Sequence, residues 1–162
     1  MTSKPEPSSS NAYDAAHLAL VFASYQKLLG QPLFAAAGQS NAAELAYHAK
    51  FALLTHDASS DPLFNYANLT AQRLFEMSWE EIVGAPSRSS AEAACQQDRQ
   101  KWLALAASQG YVSDYHGVRI AKSGARFLIS QVKIWNVYNE QGAAAGQAAY
   151  FDQWRILGQS VE

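Results

Sequence analysis

The spacing of hydrophobic and polar positions changes period along the chain, and each change predicts an element. From Asn11 to Leu29, the residues Leu18, Val21, Phe22, Tyr25, Leu28 and Leu29 recur at helical spacing, so one helix face must be buried. Asn11 is placed to cap this helix and Gly30 to stop it. A connector with Pro32 and Gly38 follows. Asn41, with Glu44 three residues on, then opens a second helix expected to end near Lys50. Residues 11–50 therefore read as an N-terminal helical segment. Residues 1–10 are Pro, Ser and charge, a composition expected to form a disordered tail.

From Phe51 the pattern turns to short apolar runs. "FALLTHD", bounded by the turn-rich "DASSDP", predicts a buried strand, and "LFNY" a second. Asn68 caps a helix reaching about Phe75. Ser78 and Glu81 form a capping box for a one-turn helix ending at Gly84. Ser89 and Glu92 are spaced for another box, opening a longer helix that Gly110 closes, with Cys95, Trp102 and Ala106 on one face. The last third, "YVSDYHGVRI", "RFLISQVKIWNVY" and "AAGQAAYFDQWRIL", is strand-like, joined by the hairpin turns "KSGA" and "NEQG". The order β-β-α-α-α-β-β-β predicts an α+β fold over residues 51–158. It is a five-stranded antiparallel sheet with helices on one face, preceded by the two N-terminal helices. A hollow between sheet and helices is expected, the kind of concave place where small molecules bind.

Period-two alternation puts Tyr115, Gly117 and Arg119 on one face of their strand, and Phe127, Ile129, Gln131, Lys133 and Trp135 on one face of the next. The opposite face carries Val118, Ile120, Val132, Ile134, Ala149 and Phe151, too apolar to stay wet. The N-terminal helix is expected to cover it, in cis or from a second subunit. Each large residue of that helix is worth roughly 1.5–3 kcal/mol on burial, so an exposed stripe is ruled out and a homodimer through this helix is expected.

Composition narrows the function. The 162 residues, 49% hydrophobic and 16% charged, can bury one core. A formal charge of -2 gives no reason to expect nucleic acid as a partner. Four histidines and one cysteine exclude a disulfide framework and a cysteine-rich zinc site. "MTSKPEPSSSN" is no signal peptide, and no apolar run approaches the roughly 18–20 residues that span a bilayer, so no membrane is expected and the location expected is cytoplasmic. No nucleophile elbow and no Gly-rich phosphate loop appear, and "PSRSS" reads as a loop. His56, Asp57 and Asp61 read as a polar turn before they read as metal ligands, so neither a catalytic residue nor a metal is assigned.

"LFNYANLTAQRLFEMSWEEIVG" is similar to a run common in PAS domains, matched by Tyr66, Ala67, Asn68, Leu74, Phe75, Ser78, Glu81 and Gly84. "DPLFNYANLTAQRLF", "WEEIVGAPSR", "GVRI" with "SGARF", "WNVYNEQG" and "GQAAYFDQW" resemble the MEKHLA domain, a PAS-like family, from about residue 12 onward. The resemblance implies a sensory or dimer-regulating module and leaves the cofactor unknown. In the flavin-binding branch of PAS, a loop cysteine adds to the flavin. The matching loop here, "GAPSRS", has Ser87 in that place, and a serine hydroxyl is too weakly acidic for the adduct. Positions matching the flavin-binding asparagines read Arg119 and Ile129. The helix that carries the haem-ligating histidine in other PAS sensors has no histidine over residues 90–109.

Aligned with the PAS pattern, the ligand pocket is expected to be lined by Tyr66, Trp79, Arg88, Trp102, Tyr115, Arg119, Ile129, Gln131 and Tyr150. Gly117 and Ala148 would leave room. Arg88, Arg119 and Gln131 are candidates to converge on an anionic or polar ligand, against the alternative that the arginines pair with acids of the protein. The expected function is a non-enzymatic sensory or signalling module that binds a small molecule or mediates dimerisation. The rival is a small enzyme or ligand carrier using the same pocket.

Overall fold

The computed structural model describes residues 4–159. Two helices, α1 (Ala15–Leu29) and α2 (Ala42–Tyr47), lead into strands β1 (Ala52–His56) and β2 (Phe64–Ala67). Three helices follow: α3 (Leu69–Phe75), α4 (Trp79–Ile82) and, after a 3-10 turn at Ser87–Ser90, α5 (Ala93–Gln109). Strands β3 (Tyr111–Ile120), β4 (Ala125–Tyr138), β5 (Ala144–Phe151) and β6 (Gln153–Gln159) complete the chain. The sheet is antiparallel in the order β2-β1-β5-β4-β3, with β6 also paired to β4. The final predicted strand is thus two pieces in one sheet position, interrupted at Asp152, so six segments fill the five places of the expected sheet.

Local rules account for most boundaries. Asn68 caps α3 and does more: its Oδ1 accepts from Ala71 N and Leu53 N, both at 3.1 Å, while its Nδ2 donates to Ala46 O at 2.9 Å and Phe51 O at 2.8 Å. One buried amide therefore ties α2, β1 and α3 together. Ser78 and Glu81 form their capping box. Ser89 and Glu92 do not. Ser89 Oγ donates instead to Pro86 O within the 3-10 turn, and Glu92 takes both ends of the Arg126 guanidinium at 2.5 and 2.9 Å.

The N-terminus corrects several expectations. Residues 1–3 of the expected tail lie outside the described residues, but residues 4–10 lie against the domain. Lys4 O accepts from the Trp79 indole at 2.7 Å, Lys4 Nζ meets Asp14 at 2.5 Å, and Tyr47 donates to Glu6 at 2.5 Å. The first helix begins at Ala15 and not Asn11, because Ala12, Tyr13 and Asp14 turn through the left-handed region at φ 56, 54 and 60°. The second helix ends at Tyr47, short of Lys50, and Asn41 makes no side-chain cap bond.

Helix α1 lies across the sheet on the side opposite α3 to α5. Leu18 and Val21 are fully buried, and Phe22 and Tyr25 nearly so. Trp135 donates to Val21 O at 3.0 Å and stacks edge-on against Tyr25 at 4.8 Å. Tyr138 N donates to Ser24 Oγ at 3.0 Å. The apolar stripe that motivates a homodimer is therefore satisfied within one chain.

A further correction concerns which residues face inward. Unbroken alternation would place Gln131, Lys133 and Trp135 beside Ile129. Instead Gln131 takes φ 52°, and Tyr115 pairs with Val132 while Gly117 pairs with Ile129, so β4 carries one residue more than β3 there. Asp114, at φ 64°, gives β3 a compensating extra residue between Val112 and Tyr115. Each is a β-bulge, and past a bulge every side chain changes face. Val132 and Ile134 turn inward, and Lys133 and Trp135 turn to α1. Through the pairs Ile134–Ala149 and Lys133–Tyr150, Ala149 and Phe151 follow inward and Tyr150 goes outward.

Candidate ligand pocket

The inner face of the sheet and the helices line a partly open cavity of about 50 Å³. Its walls are mostly apolar: Leu54, Phe75, Ile129, Val132, Ile134 and Phe151. One end is polar, with His56, Ser90, Arg99, Tyr115, Arg119 and Gln147. His56, Arg99, Leu103 and Gln147 also line an outer cleft of about 220 Å³ between α5 and the β1–β2 turn, so they form the partition between cavity and surface.

The polar end is a directed chain of hydrogen bonds. Gln147 Nε2 donates to Leu103 O at 3.0 Å, which leaves its Oε1 to accept from His56 Nε2 at 3.2 Å. With that proton on Nε2, His56 Nδ1 accepts from Ser87 Oγ at 2.9 Å. Ser87 Oγ in turn accepts from Arg99 Nη2 at 2.8 Å. Burial, and then the Arg99 charge, pull the His56 imidazole down to about 4, so it is neutral at pH 7. Opposite, Arg119 donates to the Tyr115 hydroxyl and to Val118 O, both at 3.0 Å. Gly117 is required here: a Cβ would collide with the Tyr115 hydroxyl and crowd Arg119 at 3.2 Å. The room that Gly117 leaves is filled by its own strand neighbour, not by empty space.

Of the residues expected in the pocket, Tyr115, Arg119 and Ile129 line the cavity, and Trp102 packs behind Tyr115 at 5.1 Å. The others lie elsewhere. Tyr66 pairs across the sheet with Thr55 on the α1 side, against His17 and Trp79. Its hydroxyl is buried without a hydrogen-bond partner among the described residues. Trp79 is held by the N-terminal segment. Arg88 is exposed and paired with Asp61 at 3.1 Å. Gln131 sits on its bulge and is bonded to Gln153. Tyr150 faces outward, stacked on Phe51 at 4.7 Å and under Lys133 at 5.4 Å. The expected convergence of Arg88, Arg119 and Gln131 is replaced by that of Arg99 and Arg119.

Sequence reasoning missed Arg99, His56, Ser87 and Gln147 as pocket residues. Arg99 had a signal: with Leu103 and Ala106 it makes an i, i+4, i+7 stripe, so a charged residue stood on the buried face of α5. Asp57, in the turn once weighed as a metal site, accepts from Ser59 N and Leu63 N. Among the described residues no three His, Cys, Asp or Glu side chains gather as a metal site. No helix among them is long and apolar enough to cross a membrane.

The sequence profile of the MEKHLA domain matches residues 15–156. The chain belongs to the MEKHLA domain family. The match begins at the first residue of α1, so this helix lies within it. Among curated proteins nothing matches. Among solved structures, a PAS domain of a protein from Colwellia psychrerythraea is 16% identical, with TM-score 0.60 over 72% of this chain and 93% of that one. An RNA-binding light-oxygen-voltage receptor is 18% identical, with TM-score 0.61 over 78% of this chain and 35% of that one. The blue-light photoreceptor Vivid, also solved as a fungal light-state dimer, is 17% identical, with TM-score 0.53 over 63% of this chain and 77% of that one. These likenesses show the fold: this MEKHLA domain is PAS-like.

Proposed function

We infer that this MEKHLA domain is a non-enzymatic sensory module, cytoplasmic, that binds a small molecule between the sheet and helices α3 to α5. The observation that carries this reading is the cavity itself, apolar on most sides with buried polar groups gathered at one end, the usual make-up of a ligand site. The partition of His56, Arg99 and Gln147 gives binding a way to reach the surface through α5. Denaturing mass spectrometry of the purified protein, with an NMR screen of small metabolites, tests the reading. A bound compound lost on Val132→Phe, which fills the cavity, is expected. A protein that carries nothing and responds to nothing in the screen would overturn it.

The rival enzyme has one observation in its favour: Ser87 donates to His56, whose other nitrogen is held by Gln147. Two facts weigh against it. Ser87 is 1% exposed, and an imidazole at about 4 is a poor base at neutral pH. A homodimer through the N-terminal helix requires α1 to leave its own sheet for a partner's. Light scattering at micromolar concentration is expected to give a monomer, and a dimer that disappears on removing residues 1–30 would restore that arrangement.

A further inference from the structure

Resting on the ligand-binding reading above, the charges in the cavity narrow the ligand to a class. Arg99 and Arg119 are each only 7% exposed, and among the described residues neither meets a carboxylate. Their acceptors are Ser87 Oγ, the Tyr115 hydroxyl and Val118 O, all formally neutral. At the surface the pattern is reversed. Arg88, more than half exposed, is paired with Asp61, and Arg126 takes Glu92. Water would have solvated those exposed cations at little cost, whereas a buried cation without a counter-charge costs several kcal/mol. Burial, and then the nearby Arg119 charge, push the Arg99 guanidinium down to about 10. The two cations therefore feel each other, eased by Tyr115, whose ring lies under Arg119 at 5.4 Å, but among the described residues by no carboxylate.

The walls define what could relieve them. A guanidinium is a planar fork that fits a planar oxyanion. Leu54, Ile129, Val132, Ile134 and Phe151, on the inner face of the sheet, line the cavity with hydrocarbon, which suits a carbon tail and disfavours a fully hydrated polyanion. At roughly 10–15 Å³ for each water-sized position, a cavity of about 50 Å³ admits about three to five heavy atoms. We propose that the cavity binds a short-chain organic monocarboxylate, of the size of acetate or propionate, with its carboxylate between Arg99 and Arg119 and its alkyl end against Ile129 and Val132. Entry is from the outer cleft, past the partition of His56, Arg99 and Gln147.

Titration of the full-length protein at pH 7 with propionate, propionamide and hexanoate, followed by NMR, tests this. Propionate is expected to bind at least about tenfold more tightly than its neutral amide, from loss of the charge-assisted bonds. Hexanoate is expected to be excluded by length. Arg119→Gln should cost propionate about tenfold or more, and Arg73→Gln, at an exposed cation of α3 away from cavity and cleft, should change nothing. The comparison of acid with amide needs no variant, so a variant that fails to fold does not rescue the idea. Equal affinity for acid and amide would overturn the carboxylate assignment and leave the ligand-binding reading standing. So would a neutral compound found in the cavity by mass spectrometry. If neither acid nor amide binds and no other compound does, both fall.

Discussion

On the α1 side of the sheet, Trp135, Tyr25, Val21 and Leu18 exclude water, and the indole and the Ser24 hydroxyl find backbone partners. On the α3 to α5 side, strands of the same sheet front a cavity with two buried guanidinium groups that no acid among the described residues answers. One face is filled and dry, with the unpartnered Tyr66 hydroxyl as a local exception, and the other breaks the rule on buried charge. Such local violations are expected where a protein has a ligand to hold. The contrast also explains why the sheet can tolerate a hole: the load is carried from behind.

The largest effect should come from breaking the solid face. Trp135→Ala is expected to cost about 3–5 kcal/mol, lowering the melting temperature by roughly 10 °C or more. Thermal melts in the absence of ligand would show it, and a loss under about 1 kcal/mol would mean that α1 does not anchor the sheet.

Acid tests both faces at once, since each holds one depressed histidine. Burial first, then Lys4 for His17 and Arg99 for His56, bring both imidazoles to about 4. Below about pH 6.5 the unfolded chain binds protons that the folded protein refuses. Stability is therefore complete above about 6.5 and is lost as pH falls towards 4, by on the order of 3 kcal/mol per histidine. Chemical denaturation from pH 7 to 4 should show this slope, and His17→Gln or His56→Gln should each remove part of it. A bound carboxylate should reduce only the His56 share.

The next effect has the opposite sign. Arg99→Met should raise the stability of the ligand-free protein by about 1–3 kcal/mol, because it removes an uncompensated buried charge. A destabilised variant would show that Arg99 is structural and would make the two faces alike. The smallest effect is expected at Arg88→Ala, under about 0.5 kcal/mol, since its pair with Asp61 is exposed.

The difference between the faces also marks what could be read in advance. Caps, hairpins and strand order are local chemistry, and Asn68, Ser78 with Glu81, and the "KSGA" and "NEQG" turns declared them. Facing was hidden, because it depends on two bulges at Asp114 and Gln131, neither a glycine. One missed residue at Gln131 sent Tyr150 to the wrong face. Tyr66 was misplaced for another reason: its face of β2 is covered by the N-terminal segment, which composition alone had marked as a tail. Arg99 was overlooked because α5 mixes apolar and polar residues on all sides, and its stripe with Leu103 and Ala106 was the one sign that it faced inward.

The irregularities share a level across the sheet. Asp114 in β3, Gln131 in β4 and the break at Asp152 between β5 and β6 lie side by side, and the pairing on either side of them keeps its register. Loss of Gln131 alone would straighten β4 against β3 and keep Val132 in the cavity wall, but would leave β4 one residue short against β5 and β6 at Asp152. Loss of all three would return straight strands that still match one another. Removing Gln131 and Asp152 together should therefore keep the inner face and the pairing of β4 with β5 and β6, whereas removing either alone should weaken that pairing.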